Sequence, residues 1–217
     1  MVLRLAERLG VPLRERNTIL TAAGFAPVYS ERRLDAPELR AAREAMERII
    51  AAHEPHPALA VDRGWTLLSA NKAVGVLLEG VAPHLLDGDV NVLRLSLHPD
   101  GLAGRILNFR EWRAHILARL SHEIDVSGDT LLAALFDELK TYPAPPRASL
   151  SRGSPGDVGG IIVPLRLSSR EGDLSFISAT TVFGSATDVT LSEVTIETFF
   201  PADRDTAAAM TRLMAAS

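Results

Sequence analysis

The chain contains no cysteine, which excludes disulfides, thiolate metal centres and cysteine nucleophiles. Long apolar runs are missing too; none approaches the roughly 20 residues that a membrane span requires. Aromatic residues are scarce: two tryptophans, two tyrosines and seven phenylalanines. Neither sign of charge dominates, since 23 basic and 27 acidic residues leave −4 over 217 positions. With 47% apolar residues, this describes an ordinary globular protein with no membrane partner. The opening Met1-Val2-Leu3-Arg4 offers no apolar stretch with a small-residue cleavage site, so a cytoplasmic location is expected. The length suits one sizeable domain with a small appendage.

Charge is unevenly placed. Residues 1–33 carry arginines at 4, 8, 14, 16, 32 and 33 against Glu7, Glu15 and Glu31. That balance of +3, set against −4 overall, leaves −7 on the remainder. A basic end on an acidic body suits a small nucleic-acid contact carried by a domain that does not itself bind DNA. A solvated helix pair would carry the same balance. Val2, Leu5, Ala6 and Leu9 share one helical face before Gly10. Leu13, Leu20 and Ala23 mark a second helix, with Pro12 in its first turn and Gly24 as its stop.

Further along, Asp35-Ala-Pro-Glu38 reads as a capping box. It opens a linking helix over 36–52, striped by Leu39, Ala42, Met46, Ile49 and Ile50. The prolines after His53 and His56 end it. Residues 57–71 form two apolar runs around Asp62-Arg-Gly64, a hairpin signal. Asn71 is placed to cap a helix bearing Val74, Leu77, Leu78 and Val81, and 91–98 predicts another. Asn108-Phe-Arg-Glu111 repeats the capping-box pattern ahead of Trp112, Ile116 and Leu120, and a further helix runs over 129–142. Residues 143–160, rich in proline and glycine, predict a loop. The period then changes from 3.6 to 2: strands are expected over 161–167, 174–183 and 189–200, then a short helix from Thr206. Hairpin, helical crossover and three strands describe an α+β fold, a PAS-like five-stranded antiparallel sheet with a helical insertion.

No catalytic constellation emerges, and the chain is not expected to be an enzyme. The six histidines (53, 56, 84, 98, 115, 122) show no metal-ligand spacing, and His122-Glu123 lacks the second histidine of a zinc-protease helix. Gly153-Ser-Pro-Gly156 is not a nucleophile elbow, and no strand precedes Gly153, Gly156 and Gly159 to make a phosphate loop. Glu193 and Glu197 have the spacing of one strand face, which a solvated face explains. No cofactor is implied.

Particular stretches carry a resemblance. "LRLAERLGVPLRERNTILTAAGFAPVY" resembles the last two helices of the helix-turn-helix domain in xenobiotic-response-element-type bacterial repressors. The remainder resembles the MmyB-like ligand-binding domain attached to such repressors, through "VDRGWTLLSANKA" (61–73), "NVLRLSLHPDGL" (91–102), "NFREWRAHILARL" (108–120) and "FGSATDVTLSEVTIETFFPAD" (183–203). The resemblance implies residues 1–29 as remnant helix-turn-helix elements, 30–56 as a linker and 57–217 as the ligand-binding domain. A complete helix-turn-helix domain reads DNA with its second helix, and residues 1–25 are expected to supply only the packing helices that follow that recognition helix. The expectation is therefore DNA binding only through a full-length domain, in a homodimer matched to two half-sites.

The same resemblance implies a PAS-like interior holding a small hydrophobic ligand of fatty-acid type. Such a site needs a dry apolar slot and donors at its mouth. The expected lining includes Trp65, Trp112, Leu97, Ile116 and Phe176, together with Leu67, Leu77, Leu93 and Phe183; each has a plainer role as core. Arg94, flanked by Leu93 and Leu95, is the expected carboxylate donor, with Asn91 and Asn71 adding amides. The alternatives are a body carboxylate pairing with Arg94 and a cap role for Asn71. Two other classes stay open: an interaction or dimerisation module with a solid core, and a small hydrolase.

Overall fold

A computed structural model describes residues 1–146 and 162–216. Helices α1 (Val2–Arg8) and α2 (Leu13–Ala22) are followed by a single 3-10 turn, Pro37–Leu39, and by α3 (Arg40–Ala51). The hairpin β1 (Ala58–Val61) and β2 (Leu67–Ala70) comes next. Helices α4 (Lys72–Leu77), α5 (Val92–Leu97), α6 (Phe109–Ser127) and α7 (Thr130–Thr141) fill the crossover. Then come β3 (Leu165–Ser169), β4 (Gly172–Val182), the short α8 (Val189–Ser192), β5 (Thr195–Pro201) and α9 (Arg204–Ala215). The strands form one antiparallel sheet in the order β2-β1-β5-β4-β3, the α+β arrangement expected of a PAS-like sheet with a helical insertion. No helix among the described residues is long and apolar enough to cross a membrane.

Strand β1 explains how the sheet is covered. All four of its residues are buried, because the two faces meet different partners. Leu59 and Val61 join the main core with Trp112, Ile116 and Leu120 of α6. Ala58 and Ala60 face the other way and pack with Met46 and Ile50 of α3, and with Val194 and Ile196. The small alanines let the helix lie close. The stripe on α3 thus packs onto its own sheet.

Several local expectations are corrected. Val189–Phe200 is not one strand: Asp188 caps α8 by accepting from Leu191 N, and pairing begins only at Thr195. A side-chain acceptor for the backbone outweighs the strand preference of Val189 and Thr190. The strand predicted from 161 begins at Leu165; Ile161 and 147–160 of the predicted loop lie outside the described residues. Asp35 does not cap α3; it pairs with Arg33 at the surface, and Pro37 starts a 3-10 turn instead. Asn108 makes no cap hydrogen bond. Its amide donates to Pro164 O (2.8 Å) and Glu111, and its oxygen accepts from Arg166 N (3.2 Å), fastening α6 to β3. Leu78 and Val81 fall beyond the end of α4. The last helix begins at Arg204, capped by Asp203 (2.7 Å to Thr206 N).

The first two helices are tied to this body by charge. Arg14 makes two hydrogen bonds to Glu193 (2.6 and 2.9 Å) and an ion pair with Glu31 (2.7 Å). Ser30 bridges to Asp188, which also accepts from Arg32 (3.0 Å).

Candidate functional site

Between the inner face of the sheet and helices α4–α6 lies a cavity of about 100 Å³. The hairpin supplies Leu59, Trp65 and Leu67; α4 and its end supply Val74, Leu77 and Leu78. Helix α5 adds Val92, Leu93, Leu95 and Ser96, and α6 adds Trp112, His115, Ile116 and Arg119. Leu102, Leu165, Ser178, Glu197 and Phe199 complete the wall. A void lined mainly by aliphatic and aromatic groups stays dry and accepts an apolar guest.

Both tryptophans are fixed by their indole nitrogens. Trp112 Nε1 donates to Ser96 Oγ (2.9 Å) and Trp65 Nε1 to Glu123 Oε2 (2.9 Å). Trp65 also stands at φ 64°, a left-handed backbone that costs a side-chain-bearing residue about 1–2 kcal/mol. The Asp62 turn holds it there: Asp62 Oδ1 accepts from Gly64 N and Thr66 N, both at 2.8 Å. Trp65 also borders an outer cleft of about 300 Å³ that includes Pro12 just before α2, Glu15 of α2, Arg63, Glu123 and Glu193. One side chain therefore separates the inner cavity from the seat of the N-terminal helices.

The polar end of the cavity centres on Arg119. Its guanidinium lies 4.5 Å from the Trp65 ring centroid and donates to Glu197 Oε1 (2.7 Å). Glu123 sits 3.4 Å away, and Thr180 Oγ1, also 3.4 Å away, itself donates to Glu197 Oε1 (3.0 Å). Arg119 is 30% exposed and Glu197 almost wholly buried, so the arginine stands where the cavity meets solvent. Burial, aided by Arg119, holds the His115 imidazole below its usual range against the opposing pull of Glu197.

The fold gathers only some of the residues expected here. Trp65, Trp112 and Ile116 line the cavity, as do Leu67, Leu77 and Leu93, whereas Leu97 and Phe176 are fully buried in the core away from it. Phe183 packs beside α3 on the opposite face of the sheet. Arg94 does not line the cavity: it makes a double hydrogen bond to Glu138 (2.8 Å each) with its side chain 43% exposed. Asn91 caps α5 (3.1 Å to Leu93 N and Arg94 N) and donates to Gly64 O (2.7 Å). Asn71 does not cap α4; it binds Ala58 N, Ile50 O and His56 O. Arg113 reaches the last carbonyls of α7, Leu139 O and Lys140 O.

Arg119 and His115 lay within reach of the sequence, because 112, 115, 116 and 119 fall on one helical face. Glu197 did not: its pairing with Glu193 as one solvated face fails, since Glu193 precedes β5 and meets Arg14 and Arg63. The fold also brings His84, His98 and Asp100 together, their ligand atoms within 4.8 Å of one another, which linear spacing did not show. That exposed turn is separate from the cavity, and Asp100 N already donates to His98 Nδ1 (3.0 Å).

A family model, the MmyB-like transcription regulator ligand binding domain, matches residues 42–213. No curated protein matches the chain. The matched span begins inside α3 and ends inside α9, so it holds the whole sheet and the cavity, and leaves α1 and α2 outside. Matched over most of its length and folded around a lined hollow, the chain belongs to the MmyB-like transcription regulator ligand-binding domain family.

Proposed function

We propose that this chain is the ligand-sensing part of a transcription regulator, and that a small hydrophobic molecule of fatty-acid-like length occupies the cavity. The observation that carries this is the apolar hollow in a chain of a ligand-binding family. The hollow as it stands, 100 Å³ against the ~150 Å³ that takes benzene, seats about four carbons, so a longer chain enters only as the side chains of the wall move apart. The role is binding rather than catalysis: Arg119, Glu197 and His115 include no nucleophile paired with a base.

Sensing requires that a ligand bind two states unequally, and two routes lead outward. Leu59 lines the cavity while its neighbours Ala58 and Ala60 support Met46 and Ile50, so pressure on β1 reaches α3. Trp65 borders the cleft beneath α2, so its displacement reaches Arg63, Glu193 and Arg14. Residues 1–29 act as the end of a helix-turn-helix domain, the full domain contacts DNA, and a homodimer presents two such heads.

Solvent extraction of the purified protein followed by mass spectrometry tests this reading. A co-purifying lipid-like molecule, or a rise in melting temperature with C8–C12 amphiphiles, is expected. Ser178→Leu, which fills the cavity from β4, should abolish both and keep the fold. Absence of any bound molecule and of any thermal response would leave the protein an interaction module with an unused void.

A further inference from the structure

We propose that the cavity selects an amphiphile with a neutral hydrogen-bond-donating head group, a hydroxyl or primary amide, and discriminates against a free carboxylate. This rests on the cavity being the ligand site. The charge at its polar end is already spoken for. Arg119 serves two carboxylates, Glu197 at 2.7 Å and Glu123 at 3.4 Å, so the guanidinium and its partners carry a formal −1.

A ligand carboxylate would be a third anion on one guanidinium. To gain Arg119 it must displace Glu197, a residue 4% exposed with no other cationic partner among the described residues. That would leave a buried charge uncompensated, a heavily destabilising outcome. Displacing Glu123 instead strips the acceptor from Trp65 Nε1.

The hydrogen-bond inventory points the same way. Glu197 Oε1 accepts from both Arg119 and Thr180, while Oε2 of this cavity-lining side chain accepts from no donor among the described residues. His115, also in the wall, makes no hydrogen bond among them either. A guest O–H or N–H would give Glu197 its missing donor, and an added anion would not.

The test is a matched panel, 1-decanol, decanamide and decanoate, titrated into the intact chain at pH 7.5 by calorimetry. The alcohol and amide should bind at least about tenfold tighter than the acid, since like-charge juxtaposition in a desolvated site is strongly disfavoured. In Glu197→Gln, Arg119 keeps only the longer pair with Glu123, and decanoate should gain about tenfold or more, decanol changing less. Decanoate binding as tightly as decanol to the unaltered protein would overturn the inference and leave the cavity reading intact. So would an E197Q protein, folded by circular dichroism, whose preference is unmoved. No binding by any of the three would overturn the cavity reading, and this inference with it.

Discussion

Asn71 shows how one side chain substitutes for several backbone partners. Its amide completes Ala58 N–H, Ile50 C=O and His56 C=O, joining α3 to the hairpin at a buried site. Asn71→Ala should cost about 2 kcal/mol or more, because buried backbone groups lose their partners. Urea denaturation should show a lower midpoint at unchanged slope; a shift below about 0.5 kcal/mol would mean the groups find other partners. Tyr142 offers a pH signature. Burial, then its hydrogen bond to Glu138, pushes its phenol from 10.0 up to about 12. The folded state favours the neutral phenol, so its contribution is complete below pH 10 and lost as pH rises to 12. Absorbance at 295 nm should show one tyrosine ionising only near pH 12 in the folded protein, and Tyr142→Phe should remove that step. On the acid side, Arg94 above all holds the Glu138 carboxyl below its usual range. That stabilisation is present above the ordinary carboxylate range and lost as pH falls through the lowered value.

At the scale of elements, α3 and β1 form a pair whose fit depends on size. Met46 and Ile50 are each 2% exposed, resting on two alanines. Met46→Ala or Ile50→Ala should destabilise the fold by about 2–5 kcal/mol, the range for emptying a core position. Ligand should still bind whatever protein remains folded, because the cavity lies across the sheet, with its affinity shifted only as far as β1 couples the two faces. Calorimetric melting with and without ligand separates the two effects. If either change abolishes binding in folded protein, β1 transmits force more tightly than a packed strand would. The α8 segment teaches a related lesson. Val189-Thr-Leu reads as strand, yet Asp188 at the preceding position, paired to Arg32 and bridged to Ser30, turns it into a helical corner.

Over the whole molecule, Arg4, Arg8, Arg32 and Arg33 of the N-terminal end are exposed, while Arg14 and Arg16 fold back onto the chain. Arg14 closes on Glu193, which Arg63 also approaches at 3.6 Å beside the Asp62 turn. The attachment of α1 and α2 is therefore charge-dominated and poor in apolar burial, since Ala6 and Leu20 alone are buried in those helices. Arg14→Ala should raise amide exchange across residues 2–22 by about tenfold and leave α6 and β5 unchanged. Added salt should act in the same direction. Uniform exchange across the chain would show the helices to be one cooperative unit with the sheet.

The order of elements, the hairpin at Asp62-Arg-Gly64 and the apolar faces of α3 and α6 were legible in the sequence, whereas the caps expected at Asp35, Asn71 and Asn108 were not formed. Each legible feature depends on contacts within a few residues, where periodicity and turn chemistry act. Which polar groups meet at the cavity was decided by the tertiary structure alone. Arg94 and Arg119 both sit on amphipathic helices, and only the placement of Glu138 and Glu197, 44 and 78 residues away, assigns one to the surface and the other to the cavity. Hydrophobic patterning sets what is buried, but the partner of a charge is fixed by distances that close only when the sheet does.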